Sequence, residues 1–330
     1  MPAPDPSPGT AHEGPHEDPH EDPHEVLRAA LADGVRDRLF SGATAAFAGA
    51  DGRVHRAAAG ALARDDDTPV HAGTRADLAS LTKVFTAAAA HELAAVGALD
   101  LDRPTERGFT PRQLIAHTSG LPAESDVWRR TDLRPAQRLQ RALDTPLVSA
   151  PGAVFRYSCV GYVTLGHLLE EATGQGLDGL VEEVVGVPLG ARSLDWGLTD
   201  RPAAGPVLAT ETTSTCPTPR GVVHDELARS LARPAGNAGL FGAADDVLAL
   251  GRALLAGTLE AGAALRTGDP AWMAGPAQRG HTGFTGTSLL LDPGTGACLV
   301  LLTNRVHPDR ALVDLTPFRK SLARRLTARP

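Results

Sequence analysis

Lysine is almost missing from this 330-residue chain: Lys83 and Lys320 are the only two, and arginine supplies the rest of its 32 basic residues. Cysteine is nearly as scarce. Cys159, Cys216 and Cys298 are odd in number, far apart and without a CxxC pair, so they form neither a disulfide framework nor a zinc site of the usual spacing. Reduced thiols in a cytoplasm fit them best. A formal net charge of -7 with no long basic run offers a nucleic acid or an anionic membrane no positive stripe to bind. No window is apolar for long enough to span a bilayer, and the N-terminus has neither a basic n-region nor an apolar run that a translocation machine could read. The expectation is a cytoplasmic protein with no nucleic-acid and no membrane partner, acting on a small neutral or cationic molecule. Its 42% hydrophobic content suffices for a well-buried core.

What is present begins with a biased tail. A HEDP repeat spaces His12, His16, His20 and His24 four apart, but the interleaved prolines forbid the helix that would align them on a metal. Residues 1–24 therefore read as a disordered acidic tail, with no metal and no cofactor assigned. Residues 25–330 read as one domain without internal repeats. Helical spacing predicts a first helix over 25–40, Asp51-Gly52 marks a hairpin between two short extended runs, and an apolar helix runs from Ser80 to a cap at Gly97. Further helices are predicted in TPRQLIAHTSGLP, RPAQRLQRALD, YVTLGHLLEEATG and ADDVLALGRALLAG. Two apolar strands flank the turn 292–296, and DRALVDLTPFRKSLARRLTA predicts a closing helix. Strands at both ends with helices between them predict an α+β, three-layer α/β/α fold. Its antiparallel sheet is formed from both termini and flanked by helices, with an inserted mainly helical lobe. The α/β lobe would take about 25–85 and 275–330 and the helical lobe about 86–274, with a cleft between them as the natural site.

Chemistry enters at DLASLTKVF, where Ser80 and Lys83 stand three apart at a helix start and so share a face. A serine hydroxyl needs a neighbouring base to become a nucleophile, and a helix start favours developing negative charge. Lysine shifts its pKa readily where arginine stays protonated. In a chain that otherwise nearly always uses arginine, a lysine at this place is informative. Tyr157, in a loop just before a helix, is placed to relay a proton. His281-Thr282-Gly283 at the head of a strand would let a substrate approach the backbone, with the next amide N–H directed at an oxyanion.

These pieces, together with LIAHTSGLP, PGAVFRYSCVGYVTLGHLLEE, LATE, GVVHDELAR, AGNAGLFGAADD and LVLLTNRVHP, stand in the order found in one superfamily. The chain resembles the serine β-lactamase and penicillin-binding-protein-like proteins from about Ala43 to Asn304, in particular the class C β-lactamase-like esterases and D,D-peptidase-like hydrolases. The resemblance implies Ser80 as the acylated nucleophile, Lys83 as its general base and Tyr157 as the proton relay. It implies an oxyanion hole from the backbone N–H groups of Ser80 and Phe284, with His281, Thr282 and Gly283 lining the substrate site. Cys159 departs from the family, which usually has asparagine there to contact the lysine and the amide of the acyl group. A thiol is a weak donor and a weaker acceptor, so an ester or small activated acyl substrate is expected rather than a β-lactam or peptide amide. Asn237, where close relatives often carry histidine, is read as a second substrate-side adaptation.

Three nearby groups have blander readings. His117 is expected to serve a structural hydrogen bond, His224 and Asp225 to fix a loop, and Cys159 not to act as a nucleophile, since nothing obvious lowers its pKa. The expected function is a serine hydrolase working through an acyl-enzyme on a small-molecule acyl substrate. The alternatives are an acyltransferase that passes the acyl group to an amine or alcohol, β-lactamase or D,D-peptidase activity, and a noncatalytic ligand-binding protein on this scaffold.

Overall fold

The computed structural model describes residues 21–213, 219–266, 270–275, 277–311 and 313–327. Cys216 and the tail histidines His12, His16 and His20 lie outside the described residues. Six antiparallel strands form the main sheet: β1 (Gly42–Ala48), β2 (Val54–Ala63), β3 (Asp66–Pro69), β7 (Arg279–Thr282), β8 (Ser288–Asp292) and β9 (Ala297–Thr303). Their order is β3-β2-β1-β9-β8-β7, so the N-terminal and C-terminal strands meet at the centre, where Ala43 faces Thr303 and Ala48 faces Cys298. Three short strands, β4 (Ala76–Asp77), β5 (Asp195–Trp196) and β6 (Leu240–Gly242), make a second sheet in the order β4-β6-β5.

Every residue of β1, β8 and β9 is buried, because both faces of the sheet are covered. On one face Ala43, Ala45, Phe47, Leu299 and Leu301 join Leu27 and Leu31 of α1 (Pro23–Arg36) and Leu322 of α10 (Thr316–Thr327). On the other, Ala46, Ala48, Cys298, Val300 and Leu302 meet α9 (Ala244–Ala256) and the core around α2 (Thr82–Ala95). Alternation along each strand divides its side chains between these two cores. Layered this way, the molecule has the α/β/α arrangement the sequence predicts. α2 is buried almost all round, and its run Ala87 to Ala90 is fully covered, as expected of a helix without a polar face. Against it pack α5 (Cys159–Thr173) and α6 (Leu177–Val181), and α3 (Pro111–Ile115), α4 (Pro135–Leu143), α7 (Val187–Leu189) and α8 (Glu226–Leu231) complete the mainly helical part between the two halves of the sheet.

Both hairpins predicted from turn residues are present, at Gly52 (φ 74°) and between Asp292 and its register partner Ala297. Helix ends differ. α1 starts at Pro23, inside the segment read as tail, because Asp22 accepts the His24 amide N–H at 3.0 Å and proline is tolerated in a first turn. It stops at Arg36, and the chain turns at Arg38 (φ 59°) to send Phe40 into the same core as Leu27. α10 starts at Thr316 rather than Asp309, capped by Asp314, which accepts the Thr316 N–H at 2.8 Å.

Candidate active site

Ser80 occupies a single 3-10 turn, Ala79–Leu81, and α2 proper begins at Thr82. The turn is strained, with Ala79 at φ 46°, and its surroundings hold it in place. Asp77 is fully buried. Its carboxylate accepts the Ala79 N–H at 2.8 Å and the His224 N–H at 2.7 Å, while its backbone carbonyl accepts the Thr285 hydroxyl at 2.8 Å. Burial holds the Asp77 carboxyl above its ordinary value, and these two N–H donors offset only part of that rise. Thr287 donates to the Leu78 carbonyl at 3.1 Å, so two threonines of the β7–β8 connection stitch that turn onto the Ser80 turn. Gly283 permits the approach: a Cβ there would stand 2.1 Å from Thr287 Oγ1 and 2.7 Å from the Leu78 oxygen. His281 and Thr282 end β7 rather than heading a strand, because the chain must reverse at 283–286 to pair Thr282 with Ser288.

Lys83 is wholly buried beneath Ser80. Its ammonium donates to Ser80 Oγ at 3.1 Å, to the Asn237 carbonyl at 2.9 Å and to Cys159 Sγ at 3.6 Å, and it lies 5.0 Å from the centre of the Tyr157 ring. Burial works against its charge, but the neighbouring Cys159 and Tyr157 outweigh burial and hold the amine above its ordinary value. Burial also pushes the Cys159 thiol up to about 12, so at neutral pH that residue is a thiol.

Tyr157 directly precedes α5, whose N-cap Ser158 accepts the Gly161 N–H at 2.9 Å. His117 brackets the tyrosine. Its carbonyl accepts the Arg156 N–H at 2.8 Å, its Nδ1 accepts the Ser158 N–H at 3.0 Å, and its ring lies 4.5 Å from that of Tyr157. Accepting at Nδ1 assigns His117 the Nε2–H tautomer. His281, 1% exposed, has the opposite one, since its Nδ1–H donates to the Thr282 carbonyl at 2.9 Å. Burial first, and the Lys83 charge second, push both imidazoles down to about 3, so both are neutral at pH 7.

Ser80, Tyr157, His281, Thr282, Gly283 and Phe284 line one open cleft of about 590 Å³. The half-exposed Phe284 ring stacks on His224 at 5.6 Å and 17°, and its carbonyl accepts Arg305 Nε at 2.8 Å. His224 and Asp225 fix loops: the first bonds Asp77 and Glu211, the second caps α8 through the Ala228 N–H. Asn237 corrects the sequence reading. It is fully buried, its side chain donates to Asp225 at 3.1 Å and its carbonyl holds Lys83, so it positions the amine rather than facing the cleft. Cys159 is also buried, reaching Lys83 from below. Sequence reasoning missed Asp77, Thr285 and Thr287. Among the described residues, no group of three or more His, Cys, Asp or Glu is arranged to hold a metal ion, and no helix is long and apolar enough to cross a membrane.

A family model described as Beta-lactamase matches residues 27–324, nearly the whole described chain. The chain belongs to the beta-lactamase family. Within this family it is 30% identical to esterase EstB of Burkholderia gladioli, over 85% of this chain and 90% of the esterase. It is 29% identical to a putative D-alanyl-D-alanine carboxypeptidase of Escherichia coli K12, over 77% of this chain and 76% of that protein. Its fold matches that of EstCE1, described as a hydrolase with promiscuous acyltransferase activity, with a TM-score of 0.72 at 22% identity, over 91% of this chain and 98% of that one. The chain thus falls among family proteins that include an esterase and a putative carboxypeptidase, and it shares its fold with a hydrolase described as having promiscuous acyltransferase activity.

Proposed function

We propose that this protein is a serine hydrolase that forms an acyl-enzyme at Ser80 from an ester or a small activated acyl substrate. The observation that carries the reading is the buried Lys83 amine, 3.1 Å from the Oγ of Ser80, which lines a cleft together with Tyr157 and Phe284. Ser80 attacks the acyl carbon as its proton passes to the Lys83 amine in its unprotonated form, and Tyr157 relays that proton to the leaving group. The backbone N–H groups of Ser80 and Phe284 are the donors assigned to the oxyanion, and Thr282 and Gly283 form the wall along which the acyl chain lies. Water then takes the acyl group. A thiol at position 159 supports an ester over a β-lactam or D,D-peptide, since it accepts an amide N–H poorly. The buried, unpaired Cys159 and Cys298 suit a reducing compartment, and we place the protein in the cytoplasm.

A second reading, acyl transfer to an amine or alcohol, is favoured by the cavity of about 1120 Å³ lined by Trp128, Leu133 and Arg310, which gives an acceptor room. The test is intact-protein mass spectrometry with a fluorophosphonate, a p-nitrophenyl ester and a penicillin, on wild type and Ser80→Ala. A Ser80-dependent adduct from the first two supports the reading, faster loss of the acyl adduct with added amine supports transfer, and no adduct from any reagent overturns both.

A further inference from the structure

The two backbone N–H groups assigned to the oxyanion stand on separate pieces of chain, and their spacing decides whether both reach one oxygen. Ser80 belongs to the turn that follows β4. Phe284 lies beyond the β7–β8 ladder, which ends at the Thr282 and Ser288 pair. His224, in the loop before α8, touches both pieces. Its N–H donates to the Asp77 carboxylate at 2.7 Å, and the same carboxylate accepts the N–H of Ala79, the neighbour of Ser80, at 2.8 Å. Its ring faces the Phe284 ring at 5.6 Å and 17°. The imidazole is itself anchored. Its Nε2 meets the Glu211 carboxylate at 2.9 Å, and Arg310 Nε donates to both oxygens of that carboxylate, at 2.8 and 2.7 Å. The same guanidinium bonds Glu226 at 2.6 Å. His224 is 5% exposed and Phe284 47%, so the histidine is the fixed ring and the phenylalanine takes its place from it. Arg305 supplies the other hold on Phe284, through the carbonyl at 2.8 Å and over the ring at 4.8 Å.

We propose that His224 is a positioning residue for the oxyanion hole: its backbone bond to Asp77 and its ring stack on Phe284 set the Phe284 N–H against the Ser80 N–H. The Phe284 ring is joined to that amide through Cβ and Cα alone, so a ring released from His224 lets the amide swing. A flat contact restrains the tilt of the ring as well as its distance. The oxyanion exists only once the acyl carbon has been attacked, so a misplaced donor slows acylation and leaves substrate binding unchanged. The inference rests on Ser80 acylation as proposed above, with Phe284 as the second donor.

The test is single-turnover acylation by p-nitrophenyl butyrate with the protein in excess, in wild type, His224→Gln, Phe284→Leu and the double variant. Glutamine keeps a hydrogen bond to Glu211 but has no flat ring, and leucine removes the ring on the other side of the stack. Varying the protein concentration separates the limiting acylation rate from the half-saturation constant. We expect each single variant to lower the limiting rate about 10- to 100-fold and to leave the half-saturation constant within about twofold. Because both remove one contact, the double variant should be no slower than the worse single variant by more than about threefold. Losses that multiply, or that fall on the half-saturation constant, overturn the positioning role. So does a wild-type limiting rate in Phe284→Leu, whose half-exposed ring can be changed even where the buried His224 variant does not fold. Exhaustive fluorophosphonate labelling reports an intact Ser80 in each sample. A wild-type protein that is neither labelled nor acylated overturns Ser80 acylation and this inference together.

Discussion

Lys83 has its three donors directed at three different acceptors, and only a compact, rotatable ammonium that can also give up a proton serves Ser80, Asn237 and Cys159 at once. Lys83→Arg keeps the charge but neither fits the buried space nor deprotonates. We expect it to lower acylation about 10³-fold or more, checked by the rate of fluorophosphonate adduct formation, while Lys320→Arg changes nothing. Gly283→Ala tests the wall opposite. A Cβ 2.1 Å from Thr287 Oγ1 and 2.7 Å from the Leu78 oxygen must push the β7–β8 turn off the Ser80 turn. A shift near 1 Å at an oxyanion wall costs about 10²-fold, so kcat/KM for a p-nitrophenyl ester should fall by that order with Ser80 still present. An unchanged rate would show that Thr282 and Gly283 do not line the reacting acyl group.

Packing between α9 and the sheet depends on an absence of side chain. A Cβ on Gly251 would stand 2.5 Å from Cys298 Sγ and 2.8 Å from Leu289 Cδ1, so α9 lies on β8 and β9 only because that position is bare. Gly251→Ala should destabilise by about 1–3 kcal/mol through overpacking, despite alanine being the better helix former. Adding Cys298→Ala removes the nearest obstacle and should restore part of the loss, read as a coupling in a double-mutant cycle of denaturant midpoints. Strict additivity would mean the helix moves as a body and the two positions do not meet. Elements of this kind were partly legible in the sequence. Turn residues at Asp51-Gly52 and 292–296 gave both hairpins, since their cause is local, whereas α1 and α10 end where tertiary contacts intervene, at Phe40 and at the Asp314 cap. The same division runs through the site. Ser80, Lys83 and Tyr157 stand in recognisable motifs, but Asp77 and Thr285 act across more than 200 residues of chain, and no local pattern marks such a pairing.

At the scale of the whole molecule, several histidines are held neutral by burial. His117 and His281 are pushed down to about 3, and burial also lowers His91 and His307. In the unfolded chain each titrates near 6.5. Below that pH the unfolded state binds protons that the folded state refuses, so stability present above pH about 6.5 is lost as pH falls towards 3. Asp77 and Glu124 act with the opposite sign, because a carboxyl pushed up by burial favours folding as it takes a proton, but they are two groups against four. For His117 and His281 the slope approaches about 1.4 kcal/mol per pH unit each once the unfolded forms are fully protonated. Urea unfolding at pH 7.5, 6.0 and 5.0 should show midpoints falling with pH. The His117→Asn/His281→Asn double variant should be less stable at pH 7.5, having lost the bond to Ser158, yet show a shallower decline, because two of the proton-refusing groups are gone. Parallel declines in the two proteins would mean that these imidazoles take up protons in the folded state. Lys83 would then share its pocket with further positive charge, which opposes the protonated form of its amine.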